Sequence, residues 1–232
     1  MNPDDALPGL APRRPPSAAA RLVGLARTTA SVEAIADLAA LYDEGVGACL
    51  LRRRADPIVE RFVDSALLPR DAERRLVVAA DAPALGDLLA PGEGAEGPGA
   101  WLDDVRELVE IFAALTGAPA VGVRVRSGGE PMCPRFHVDR VAVRLVCAYA
   151  GPGTEWLDGG DVDRSRLGHA AGGLPDEASG LLREGAKVWR AAPFDLVLLK
   201  GEAWPGNEGH GAVHRSPPFW GRRVVLTLDA LD

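Results

Sequence analysis

The stretch HVDRVAVRLVCAYAG, residues 137–151, decides how this chain is read. No glycine, proline or asparagine interrupts it before Gly151, and its second half is almost wholly apolar, as in a strand buried on both faces. Yet it opens with His137 and Asp139. In an extended chain residues i and i+2 face the same side with Cα atoms about 7 Å apart, so both side chains can reach one ion. Alone, a His-x-Asp in a strand is a weak signal, met more often as an ordinary polar pair than as a ligand set.

A third ligand must come from elsewhere, and the sequence holds four histidines. His210 and His214 have the i, i+4 spacing of a helical metal pair, but Gly209 and Gly211 argue against a helix there. In an extended chain they would stand about 13 Å apart, too far to share an ion. His169 sits in the Gly/Ala-rich run LGHAAGG and reads as solvent-facing. The economical set is His137, Asp139 and His214. Two imidazoles and a carboxylate leave one side of a metal open, which suits Fe(II). Cys133 and Cys147 lack the paired spacing of a structural zinc site.

Outward from this stretch the chain reads as α+β and mainly β. Strands are expected at 120–127, 137–149, 154–157, 187–191, 195–201 and 222–229, with short ones at 46–51 and 74–80. Many short strands joined by Gly/Pro turns favour a sandwich or jelly roll over a parallel α/β sheet. Helices are expected after Ser31 as cap, after Asp56-Pro57, and from Trp101 to a stop at Gly117. Residues 1–20 read as a disordered tail, 21–99 as a region of helices and short strands, and 100–232 as a β domain, with APGEGAEGPGA (90–100) as the connector.

Composition narrows the function classes. A net charge of −7 argues against broad nucleic-acid binding, which needs a basic face. Arg52, Arg53 and Arg54 read as a solvated strand end. No apolar run approaches the roughly 18 residues of a membrane span, and three cysteines make no disulfide framework, so a cytoplasmic setting is expected.

The order of elements, with HVD, GTEWL, DLVLLKG, VHRSPP and an Arg-bearing last strand, resembles the double-stranded β-helix (jelly-roll, cupin-like) core of the Fe(II)- and 2-oxoglutarate-dependent oxygenases. FDLVLLKGEAWPGNEGHGAVHRSPP (194–218) is similar to the matching run of their phytanoyl-CoA hydroxylase branch. CPRFHVD, GPGTEWL, LLKGEAWPGN and VHRSPP resemble still more closely the bacterial family designated domain of unknown function 1826, over most of residues 100–232.

The oxygenase resemblance implies iron on His137, Asp139 and His214, helices packed on the outer sheet, and a basic residue about nine positions after the distal histidine to bind the far carboxylate of 2-oxoglutarate. Arg223 stands at that position. Strand parity agrees: Arg222 shares a face with Val224, Leu226 and Leu228, while Arg223, Val225 and Thr227 face the other way, toward the barrel mouth. Tyr149 is a second candidate for the cosubstrate, provided the chain folds back after Asp139. Otherwise it would lie about 33 Å away.

Cys133, Trp156 and Trp204 are candidates to line the pocket, and no catalytic residue beyond the metal ligands is expected. Residues 158–186 have the length and composition of a lid. The substrate, a small molecule or a protein, is not legible. Two other readings use the same chain: a non-catalytic zinc-binding accessory protein working with metal-homeostasis partners, and a metal-free β-helix that binds a ligand or partner.

Overall fold

In the computed structural model, residues 26–231 are described apart from 66, 68, 70 and 90–96. The stretch expected as a tail and most of the expected 90–100 connector lie outside the described residues.

Apolar β-branched runs make ten strands. They are β1 (Thr28–Val32), β2 (Val46–Leu51), β3 (Glu73–Ala79), β4 (Ala120–Gly128), β5 (Val143–Ala150), β6 (Glu155–Leu157), β7 (Val188–Arg190), β8 (Leu196–Lys200), β9 (Val213–Arg215) and β10 (Arg223–Leu231). Seven form one sheet in the order β1-β2-β8-β5-β10-β4-β3, and the other three form a small sheet, β7-β6-β9. Every pairing is antiparallel except β1 with β2. The molecule is thus mixed α/β and mostly sheet. Strands from both sides of residue 100 share the large sheet.

Parity along the strands sorts two cores. One face of the large sheet carries Val121, Val123, Val125, Leu145, Cys147, Val224, Leu226 and Leu228. Against it pack α1 (Pro57–Ser65) and the longer α2 (Pro98–Thr116), through Phe62, Val63, Trp101, Val105, Leu108 and Phe112. These recur at helical spacing, so each helix buries one stripe. Gly117 ends α2 at φ +70°, a left-handed conformation that glycine adopts at little cost, and its N–H reaches Ala113 O. The opposite face carries Ala48, Leu50, Val146, Ala148, Val197, Leu199 and Val225, and the small sheet lies on them through Trp156. This sandwich of two sheets, helices outside, is the frame for everything that follows.

Three expectations are corrected. Ser31 caps no helix: Thr28–Val32 is a strand, and a short 3₁₀ helix, Ile35–Tyr42, starts at Ala34 without a side-chain cap. The β-branched Thr28, Thr29 and Val32 fit a pleated edge better than a helical first turn. Nor is 137–149 one strand. β5 begins at Val143, and the chain before it is drawn aside by backbone bonds from the segment after β8: Gly201 N to Ala142 O (2.8 Å), Glu202 N to Asp139 O (2.9 Å) and Ala203 N to Val141 O (3.2 Å). Arg53 is also more than a solvated strand end, since it pairs with Asp104 of α2 at 2.8 Å.

Candidate metal centre

Reciprocal backbone bonds bring the two histidine segments side by side. His137 N donates to His214 O at 3.0 Å, and His214 N to His137 O at 2.9 Å. His137 lies just outside the small sheet, as a single bridge added beyond β9. The imidazole centroids stand 4.5 Å apart. Asp139 completes the cluster, its Oδ2 3.2 Å from His214 Nε2 and its Oδ1 3.6 Å from His137 Nε2. One ligand atom from each of the three falls within 4.8 Å of the others.

The ring orientations are set from behind. His137 Nδ1 lies 2.9 Å from Arg135 O, and His214 Nδ1 lies 2.9 Å from Ala212 O. A carbonyl only accepts, so Nδ1 carries the proton and Nε2 is the atom turned toward the cluster. Arg144 Nη1 donates to Asp139 Oδ2 at 2.7 Å, while its Nε and Nη2 grip Asp229 of β10. Burial works to raise the Asp139 pKa, but His214, Arg144 and His137 outweigh it and hold the carboxyl at about 2. Burial, helped by the charge of His214, lowers the pKa of His137. An ionised carboxylate beside two imidazoles that present Nε2 is a metal-ready donor set.

The cluster forms part of the wall of a cavity of about 220 Å³ between the sheets, which Arg223, Thr154, Ser216, Val225, Thr227 and Cys133 also line. Arg223 is buried and has no carboxylate partner among the described residues. Its Nε donates to Pro152 O (2.7 Å), Nη1 to Ser216 Oγ (3.2 Å) and Nη2 to Thr154 Oγ1 (3.3 Å). Burial, opposed only by the more distant Glu155, lowers its pKa to about 10. Arg222 turns to the other face and donates to Val63 O and Leu67 O beside α1. On its other side His137 borders an open hollow with Leu167, Gly168, His169 and Ala170, so part of the 158–186 segment flanks the site.

Three expected pocket residues lie elsewhere. Tyr149 faces the helix side, where its hydroxyl donates to Asp104 and its ring meets Trp101 and Phe194 edge-on. Parity decides this: Val146 and Ala148 point to the inner core, so Tyr149 cannot. Trp156 is sealed between the sheets, stacked on Trp189 and donating to Thr29 Oγ1 at 2.8 Å. Trp204 packs on Tyr42 and beneath Lys200. His210 lines a different cavity, away from His214.

Several residues that position the site carried no signal readable in advance. Asp176, in the 158–186 segment, accepts from Arg135 Nε (2.6 Å) and from Phe136 N (2.8 Å), while Arg215 Nη1 lies 3.4 Å away. Arg215 also reaches Glu155 and Glu177, both at 2.8 Å. Glu202 accepts from Gly209 N and Gly211 N. CPRFHVD, GPGTEWL and VHRSPP are thus interlocked through one charge network centred on the buried Glu155, Asp176 and Arg215, and LLKGEAWPGN clamps the loop that holds Asp139.

Fold and site together define a two-sheet, mainly β protein with a facial His-Asp-His cluster at an internal cavity. The family model "Protein of unknown function (DUF1826)" matches residues 33–229, and the chain belongs to that family. No curated protein matches the sequence. Among solved structures, the chain is similar to a rice dioxygenase for auxin oxidation (13% identity, TM-score 0.47, 88% of this chain and 83% of that one). It is similar also to an oxidoreductase of the 2OG-Fe(II) oxygenase family from Burkholderia pseudomallei (13%, TM-score 0.44, 87% and 94%).

Proposed function

We propose that the protein is a non-haem Fe(II)- and 2-oxoglutarate-dependent oxygenase built on a double-stranded β-helix. The observation that carries this reading is the meeting of His137, Asp139 and His214 at a cavity that also holds a buried Arg223 lacking an anionic partner. The donor set fits the metal: two imidazole nitrogens turned inward by their backbone bonds and one ionised carboxylate occupy a single side, which leaves room for other ligands. Iron held by His137, Asp139 and His214, with 2-oxoglutarate beside it, would supply the oxidising chemistry.

The chain's own part is placement. His137 and His214 present Nε2, and Arg144 holds Oδ2 of Asp139 so that Oδ1 is free to face the ion. The Arg223 guanidinium matches a carboxylate with two parallel N–H donors, and its present partners, a carbonyl and two hydroxyls, are weak ones to give up. Without an anion, burying this charge is unfavourable. Val146 and Val225 supply the apolar part of the cavity wall on the large-sheet side.

The test compares wild type with Arg223→Ala, His137→Ala and Asp139→Ala, each checked for folding and purified without oxygen. Wild type should bind Fe(II) and 2-oxoglutarate and release succinate. Arg223→Ala should keep the metal and weaken 2-oxoglutarate by about 2–4 kcal/mol. His137→Ala and Asp139→Ala should lose the metal itself, each removing one of three ligands. Stoichiometric zinc with no affinity for 2-oxoglutarate would replace this reading with a metal-binding accessory role.

A further inference from the structure

A second cavity of about 530 Å³ lies outside the metal centre, where the entry to β1 meets the segment after β6. Arg27, Arg164 and Arg183 converge on it from three separate stretches of chain, with His210 beside them. None of the three guanidiniums forms an ion pair among the described residues. Each is anchored by one backbone carbonyl instead: Arg27 Nη2 to Gly206 O (3.3 Å), Arg164 Nη2 to Gly211 O (2.7 Å) and Arg183 Nε to Val162 O (3.0 Å).

The nearby carboxylates accept hydrogen bonds, and one of them, Asp163, is itself part of the cavity lining. Asp163 Oδ1 accepts from Ser165 N and Ser165 Oγ, and Glu202 accepts from Gly209 N and Gly211 N. Arg27 Nε is buried without a hydrogen-bond partner. Three guanidiniums against one carboxylate leave the lining net positive, and the buried Nε–H of Arg27 left unpaired carries a cost. An entering anion would answer both.

We propose that this cavity is a binding site for the phosphate chain of a small di- or triphosphate, separate from the metal centre and independent of the activity proposed above. Guanidinium forks match phosphate oxygens with paired hydrogen bonds, and three forks suit an anion of several charges better than a monocarboxylate. The volume lies within the range of small-ligand pockets, with space for more than the phosphates. Gly159 and Gly160 in the wall let the backbone come close: Gly159 N donates to Arg27 O, and a Cβ at Gly159 would stand 2.8 Å from Arg27 N.

The test is calorimetric titration of the full chain with inorganic pyrophosphate at low ionic strength, with citrate as a polyanion lacking phosphate. Arg27→Gln and Arg183→Gln remove one fork each from different segments. Arg164 is left alone, because Gly211, whose carbonyl it holds, adjoins Ala212, whose carbonyl orients His214. Pyrophosphate should bind saturably and more weakly as salt rises. Each variant should lose about tenfold in affinity, citrate should bind markedly less well, and Arg223→Gln, in the other cavity, should match wild type. No saturable binding, equal binding of citrate, wild-type affinity in both fork variants, or a comparable loss in Arg223→Gln would each overturn the proposal.

Discussion

Asp139 is held from two directions at once, by the imidazoles in front and by Arg144 behind. Arg144 is not a ligand, yet it ties the carboxylate to Asp229 on β10 and so fixes Asp139 against the sheet. Arg144→Gln should therefore lower metal affinity by about 10- to 100-fold, as loss of an outer partner does elsewhere, while leaving all three ligands in place. Metal titration with a competing chelator would show it, and unchanged affinity would make Arg144 purely a structural tie. Tyr149 is the contrary case. Its hydroxyl serves Asp104 in a buried set with Arg53, and burial pushes its pKa well above the usual phenol range. Tyr149→Phe should cost about 1–2 kcal/mol of stability in urea melts and leave 2-oxoglutarate affinity as it was. A selective loss of cosubstrate binding would contradict its placement.

Among the elements, the segment after β8 governs the loop that carries Asp139. Gly201 sits so near that loop that a Cβ would lie 2.0 Å from Val141 O and 2.8 Å from Asp139 O. Both contacts are with backbone that the clamp itself holds, so Gly201→Ala must spread the clamp. The expected outcome is a loss of about 1–3 kcal/mol in stability together with weakened metal binding, read by thermal melting and metal titration. A stable variant with full metal affinity would mean that the loop tolerates movement.

This clamp also marks where the sequence stops being legible. Strand parity placed Arg223 on the inner face and Arg222 on the outer, because alternation is a local property that side chains report directly. The same reasoning applied to Tyr149 asked the wrong question, distance along the strand rather than which face. β1 was missed because Ser31 ahead of Val32, Ile35, Leu38 and Leu41 mimics a capped helix, and only pairing with β2 decides otherwise. The break before β5 is imposed by residues some sixty positions later, Gly201 to Ala203, and nothing within 137–149 announces it. Asp176 was equally hidden, since a carboxylate in a polar, glycine-rich segment looks solvated until Arg135 and Arg215 close on it.

At the scale of the whole molecule, the three cysteines report on distinct depths. Cys49 and Cys147 are buried, which raises their pKa values to about 11 and about 12, whereas Cys133 is exposed. A thiol reagent at neutral pH should label Cys133 at once and the other two only as fast as the sheet opens, giving one rapid and two slow equivalents. Rapid labelling of Cys147 would mean that the helix layer opens on its own. Among the described residues no helix is long and apolar enough to cross a membrane.

The large sheet has its last-made strand in its interior. β10 lies between β5 and β4, and without it the sheet falls into two pieces, each with a bare edge. A growing polypeptide therefore cannot close this sheet until β10 has emerged. The His-Asp-His cluster is likewise split between residues 137–139 and 214, so its donor set is complete only once His214 has emerged. Closure of the large sheet must wait until β10 has been made, and long-range pairings of this kind are slow to form. Until then β4 and β5 each present a bare edge, the kind of edge that pairs with other chains.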